Sequence, residues 1–132
     1  MNILTSPQQK NLRNLDVLAV YIFGSTAEGF SQPQSDFDIG VLIDKSINGL
    51  NKNKLYNRLY EIFTELFPGK NLDIVFLNTA GLELKFDVVS NGKLIFESQT
   101  QDRLNFEVQT VLQHADFKPL LRQFDQAVLN RI

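Results

Sequence analysis

The stretch that most constrains this chain is residues 22–43, IFGSTAEGFSQPQSDFDIGVLI. An apolar run, VLAVYIF, ends abruptly at Gly24-Ser25. Small and turn-forming residues follow, then Asp36-Phe37-Asp38 and a second apolar run to Ile43. This pattern predicts a strand, a tight turn with a short helix, and a second strand. Alternate residues of a strand share a face, so Asp36 and Asp38 point the same way, with Phe37 and Ile39 directed into a core. Two carboxylates facing a Gly-Ser turn at a helix start suit a metal-bound phosphate. Carboxylates hold hard cations such as Mg²⁺. Free N–H groups at a helix start attract phosphate oxygens, and Gly24 lets the backbone approach closely.

Elsewhere the chain alternates helical and strand patterns. Thr5 or Ser6 caps a first short helix with Pro7 in its first turn and Leu12 and Leu15 facing inward. The first strand runs over 17–23 and the second over 38–44, with Gly40 inside it, where close packing and room for a nucleotide are both open readings. A long helix over 53–67 carries Leu55, Leu59, Ile62 and Leu66 on one stripe and Tyr56, Tyr60, Phe63 and Phe67 on the next. The two stripes read as one wide buried face; the sharper alternative is that the tyrosine edge meets a partner protein. Pro68-Gly69 stops this helix.

The third strand, LDIVFL over 72–77, has one charge, Asp73, in phase with Val75 and Leu77. A charge in an apolar strand needs a partner or a metal unless it sits at an exposed end. With Asp36 and Asp38 already paired, a third site carboxylate is the preferred reading. Asn78 or Thr79 caps a helix over 80–90, and a short fourth strand over 93–97 has charges at both ends, as a sheet edge does. The remainder is helical, interrupted at Pro119 with Asp116 as a fresh cap. Leu104, Val108, Val111, Leu112 and Ala115 form its first apolar stripe, and it either packs back on the sheet or meets another chain. His114, the one histidine, is expected to be solvated.

The expected architecture is α/β (α+β): one domain over 1–132, with a core over about 1–98 and a helical tail over about 99–132. Helices lie mainly on one face of a small mixed sheet, and Asp36, Asp38 and Asp73 on the bare face. At 132 residues the chain can bury a real core. It has no cysteine, so neither disulfides nor cysteine-bound zinc hold it. No apolar run approaches a membrane span, and no signal-peptide pattern opens the chain; a cytoplasmic setting is the simplest. Thirteen basic against fifteen acidic residues give a net charge of −2, which disfavours a broad nonspecific nucleic-acid surface.

Gly24-Ser25 followed at ten residues' distance by Asp36-x-Asp38 resembles the signature of the DNA polymerase β-like nucleotidyltransferase superfamily. The short chain is similar to its minimal nucleotidyltransferase (MNT) branch, the adenylyltransferase antitoxins paired with HEPN-domain toxins. The resemblance implies the nucleotidyltransferase fold and transfer of AMP from ATP, with two Mg²⁺ ions held by Asp36, Asp38 and Asp73. Asp73 corresponds to the third acidic residue of the family. Gly24 and Ser25 correspond to its phosphate-binding pair. The implied acceptor is a tyrosine of a HEPN RNase toxin, neutralised by the modification. An aminoglycoside-type adenylyltransferase and an antitoxin acting by binding alone are the alternatives. The turn after Gly24-Ser25 departs from many relatives, having Thr26 and Glu28 where they place a basic residue.

Overall fold

A computed structural model describes residues 3–24, 37–44 and 49–129, the side chains of 49, 50 and 117–129 excepted. Ser25 and Asp36 therefore lie outside the described residues, as do the rest of the turn and the short helix expected after Ser25. The chain order is α1 (Ser6–Asn14), β1 (Val17–Phe23), β2 (Phe37–Ile43), α2 (Gly49–Leu66), β3 (Leu72–Phe76), α3 (Leu82–Asn91), β4 (Lys93–Glu97) and α4 (Thr100–Leu129).

The strands form one mixed sheet in the order β3-β2-β1-β4. β1 is antiparallel to both β2 and β4, and β2 is parallel to β3 with α2 as the crossover. β1 is buried at all seven positions, as an apolar strand with neighbours on both edges should be.

The sheet is covered on both faces, which corrects the expectation of a bare one. One face sets Val20, Ile39, Val41 and Ile74 against Leu12 of α1 and Leu59, Ile62 and Phe63 of α2. The other sets Ala19, Tyr21, Leu42 and Leu77 against Val88 of α3, with Leu84 of α3 and Phe106 of α4 packed alongside. The reason is legible in the phase of the strands. Leu42, Val75 and Leu77 share their face with Asp38 and Asp73, and that much apolar surface requires a cover. Among the described residues, the end of the face that bears the carboxylates is the part left for chemistry.

α1 opens with a reciprocal cap: Thr5 accepts from the Gln8 amide at 3.2 Å, and the Gln8 side chain accepts from the Thr5 amide at 2.9 Å. α2 begins four residues earlier than its apolar stripe predicts, because that stripe starts only at Leu55. Phe63 is fully buried and Phe67 stacks on Phe37 with ring centroids 4.5 Å apart. Of the aromatic stripe only Tyr60 is exposed, so the wide buried face is the correct reading.

α3 starts at Leu82 with Gly81 as its cap and no side-chain capping bond. Asn78 has other work. Its side-chain amide donates to the Ile43 carbonyl at 2.8 Å and accepts from the Ile43 backbone amide at 2.9 Å, continuing the ladder past the end of β3.

α4 runs unbroken through Pro119, so no second helix starts at Asp116. A proline inside a helix removes one backbone hydrogen bond, and the helix-favouring Leu120, Leu121, Arg122 and Gln123 follow it directly. The first half of α4 is tied to the sheet through polar groups. The Tyr21 hydroxyl donates to Glu107 at 2.6 Å, and Arg103 bonds both Glu107, at 2.8 Å, and Glu97. The hydrogen bond from Arg103 holds the Glu97 carboxyl below its ordinary range. Burial, and then the bond to Glu107, push the Tyr21 hydroxyl well above the usual tyrosine range.

His114 is buried, not solvated. It stacks on Phe86 with centroids 3.6 Å apart, inside the α3–α4 contact. Glu83 Oε1 lies 3.2 Å from its Nε2, but off the line of a hydrogen bond. Leu104, Val108, Val111 and Leu112 form an outer stripe of α4 that is exposed.

Candidate active site

The site lies where β1 ends and β2 and β3 begin. Asp38 is the second residue of β2 and Asp73 the second of β3. The parallel register pairs them directly, Asp38 with Asp73, Phe37 with Leu72 and Ile39 with Ile74. Paired residues on neighbouring strands lie on the same face. Phe37 and Ile39 are buried on the opposite side, as strand alternation predicts. The sequence thus correctly brings together two carboxylates 35 positions apart.

Gly24 follows β1, and β1 pairs Phe23 with Asp38. Its φ is +79°. A Cβ placed on Gly24 would stand 3.2 Å from Asp38 Cγ and overlap Oδ2. The glycine therefore does two things that no other residue could do there: it holds a left-handed turn and leaves the space in which the Asp38 carboxylate sits. Gly40 has a different use. A Cβ there would meet Leu77 Cδ2 at 3.2 Å, so its absent side chain is filled by close packing.

Asp38 is half-buried and Asp73 exposed. Adjacent carboxylates on neighbouring strands repel, which destabilises the pair without a cation. Their oxygens are the donor type that Mg²⁺ takes, and the missing side chain of Gly24 leaves the room that Asp38 Oδ2 occupies. The residues present fit a hard divalent cation. Among the described residues no group of three possible ligands gathers, Asp36 lying outside them.

Sequence reasoning missed the Tyr21–Glu107–Arg103–Glu97 network. A tyrosine in an apolar strand and scattered charges on a helix, 86 residues apart in the case of Tyr21 and Glu107, give no local signal. It also missed the double bond of Asn78, because a residue just before a helix reads first as a cap.

Comparison with known proteins decides the family. Residues 8–101 match the family described as Polymerase beta, Nucleotidyltransferase. This chain belongs to that nucleotidyltransferase family. It is 30% identical over 92 residues to the protein adenylyltransferase MntA of Shewanella oneidensis. That match takes in 70% of this chain and 62% of the relative's length, somewhat under two thirds. Among solved structures, it resembles a toxin–antitoxin complex with AMP-PNP at a TM-score of 0.66 and 26% identity, over 91% of this chain and 94% of that one. A tri-AMPylated Shewanella oneidensis HEPN toxin in complex with an MNT antitoxin matches at 0.61 and 24% identity, over 91% of both chains, and shows the same fold. Among the described residues no helix is long and apolar enough to cross a membrane.

Proposed function

We propose that this nucleotidyltransferase is the antitoxin of a toxin–antitoxin pair. It transfers AMP from ATP to a tyrosine of a HEPN RNase toxin in the cytoplasm. The observation that carries the proposal is the register pair Asp38–Asp73 beside the Gly24 turn, in a chain similar to a protein adenylyltransferase. The exposed stripe on α4 adds support. Leu104, Val108, Val111 and Leu112 are each at least 40% exposed, Leu112 as much as 59%. Apolar surface of that kind suits contact with a protein.

In this reading Asp36, Asp38 and Asp73 hold Mg²⁺, with Ser25 and Gly24 at the departing phosphates. Bound Mg²⁺ supplies the positive charge that lets a triphosphate approach carboxylates and that offsets charge on the leaving group. Gly24 fixes where the Asp38 carboxylate stands. The backbone N–H groups at the Gly24-Ser25 turn orient the β- and γ-phosphates. Asp73, on the open side of the pair, accepts the proton of the acceptor hydroxyl. The acceptor oxygen then bonds to the α-phosphorus, and the bond from that phosphorus to the bridging oxygen of the β-phosphate breaks. Pyrophosphate leaves, and the tyrosine keeps AMP. Docking two proteins converts a bimolecular encounter into a pre-oriented one.

The test uses two labelled forms of ATP with Mg²⁺ and the HEPN chain encoded beside this one. Label should pass to the toxin from the α-phosphate and not from the γ-phosphate. Transfer from the γ-phosphate would make the protein a kinase. Silencing of the RNase with no label transferred would make it an antitoxin by occlusion.

A further inference from the structure

Among the described residues β3 is an edge strand, and its pairing with β2 shows which of its backbone groups point outward. Phe37 pairs with Leu72 and Val41 with Phe76. The Phe37 amide donates to the Asn71 carbonyl at 2.7 Å, and the Leu77 amide to the Val41 carbonyl at 2.9 Å. In a parallel ladder, a residue that bonds the two neighbours of its partner leaves that partner's own N–H and C=O on the far side. Leu72, Ile74 and Phe76 therefore turn their backbone groups to the outer edge. The Phe76 carbonyl accepts from the Thr79 amide at 3.3 Å. Among the described residues nothing hydrogen-bonds the outer groups of Leu72 and Ile74.

The two edges of the sheet differ in how they are guarded. β4 carries Lys93 and Glu97 at its ends, with Glu97 tied to Arg103. Charges so placed discourage strand addition. β3 has neither lysine nor proline. Its one charge is Asp73, which belongs to the carboxylate pair.

We infer that the outer edge of β3 is the docking site of the acceptor: an extended, tyrosine-bearing segment of the toxin adds there as a fifth strand. Neighbouring strands lie about 4.8 Å apart. The residue of the added strand that pairs with Asp73 would have its Cβ on the same face, about 5 Å from that of Asp73. A tyrosine at that position reaches across Asp73 toward Asp38. The outer edge offers the backbone of few residues, so the segment is short. It is a loop or chain end and not a helix, whose backbone groups are already bonded internally. Main-chain bonds hold such a strand with little demand on its sequence. The inference rests on the proposed function and says how the acceptor is held.

Leu72→Pro tests it. This change removes the outward N–H of Leu72 and no bond to β2, at the first residue of a strand, where proline is tolerated. The expected result is an acceptor KM raised about tenfold, the size of one lost hydrogen bond, with AMP-PNP binding unchanged. Hydrogen exchange on the unaltered protein gives a second readout should that variant fail to fold. The Leu72 and Ile74 amides should become protected when the toxin binds, while that of Val75, which faces β2, stays as it was. A folded Leu72→Pro with unaltered acceptor KM overturns the inference. So do unprotected Leu72 and Ile74 amides in a complex that transfers AMP, and in both cases the proposed function stands. No transfer by the unaltered protein removes both.

Discussion

Replacing Gly24 by alanine separates backbone strain from damage to the site. Two glycines in the described structure have a positive φ, Gly24 at 79° and Gly69 at 76°. A Cβ at Gly69 would meet nothing within 4 Å, whereas one at Gly24 would overlap the Asp38 carboxylate. Gly69→Ala therefore measures the cost of the left-handed conformation alone, about 1–2 kcal/mol. Gly24→Ala adds the displacement of Asp38. For a domain of this size the strain lowers Tm by about 4 °C per kcal/mol, and both variants should remain folded. Activity should part them. Gly69→Ala should transfer AMP at the wild-type rate. Gly24→Ala should lose about 10²-fold, as expected when a reacting constellation is misplaced by about 1 Å. The assay is steady-state transfer to the toxin beside thermal melts of each variant. Equal transfer by the two variants would refute the argument that Gly24 exists to seat Asp38.

Asp38→Asn should abolish Mg²⁺-dependent AMP-PNP binding, and Asp73→Asn should lower transfer more than it lowers binding; calorimetry with Mg²⁺ and with EDTA checks both, and equal affinity under the two conditions would contradict a metal site. Tyr21→Phe should cost roughly 1.5–3 kcal/mol, the value of a hydrogen bond to a charged group. Because the folded protein holds the Tyr21 proton more tightly than the unfolded chain does, this stability is fully present below pH 10 and declines as pH rises above it. Wild-type Tm should thus fall more steeply than that of Tyr21→Phe above pH 10, and parallel profiles would contradict the assignment. Val108→Asp and Leu112→Asp, at positions more than half exposed, should weaken toxin binding with Tm unchanged, and wild-type affinity in both would free the α4 stripe from that role.

The elements that sequence made plain are those whose signal is local. VLAVYIF and LDIVFL announce strands by composition, and Thr5 or Ser6 before Pro7 announces a helix start. The carboxylates were found because strand alternation assigns Asp38 and Asp73 a face before any contact is known. What stayed hidden depends on tertiary packing. Covering both faces of the sheet requires α4 to fold back, and only then is His114 buried against Phe86. From sequence Asn78 reads as a cap because its partner, Ile43, lies 35 positions away. The role of Gly24 was half legible: the turn could be read from the glycine, but the contact with Asp38 depends on the β1–β2 pairing.

The central claim is that the carboxylates at this sheet end transfer AMP to a toxin tyrosine. The most direct measurement is the intact mass of the HEPN toxin after incubation with this protein, ATP and Mg²⁺, with peptide mapping of any adduct. The expected result is one or more AMP groups on tyrosine, absent when Asp36→Ala/Asp38→Ala replaces the unaltered chain. A toxin of unchanged mass whose RNase activity is nevertheless silenced would contradict the claim.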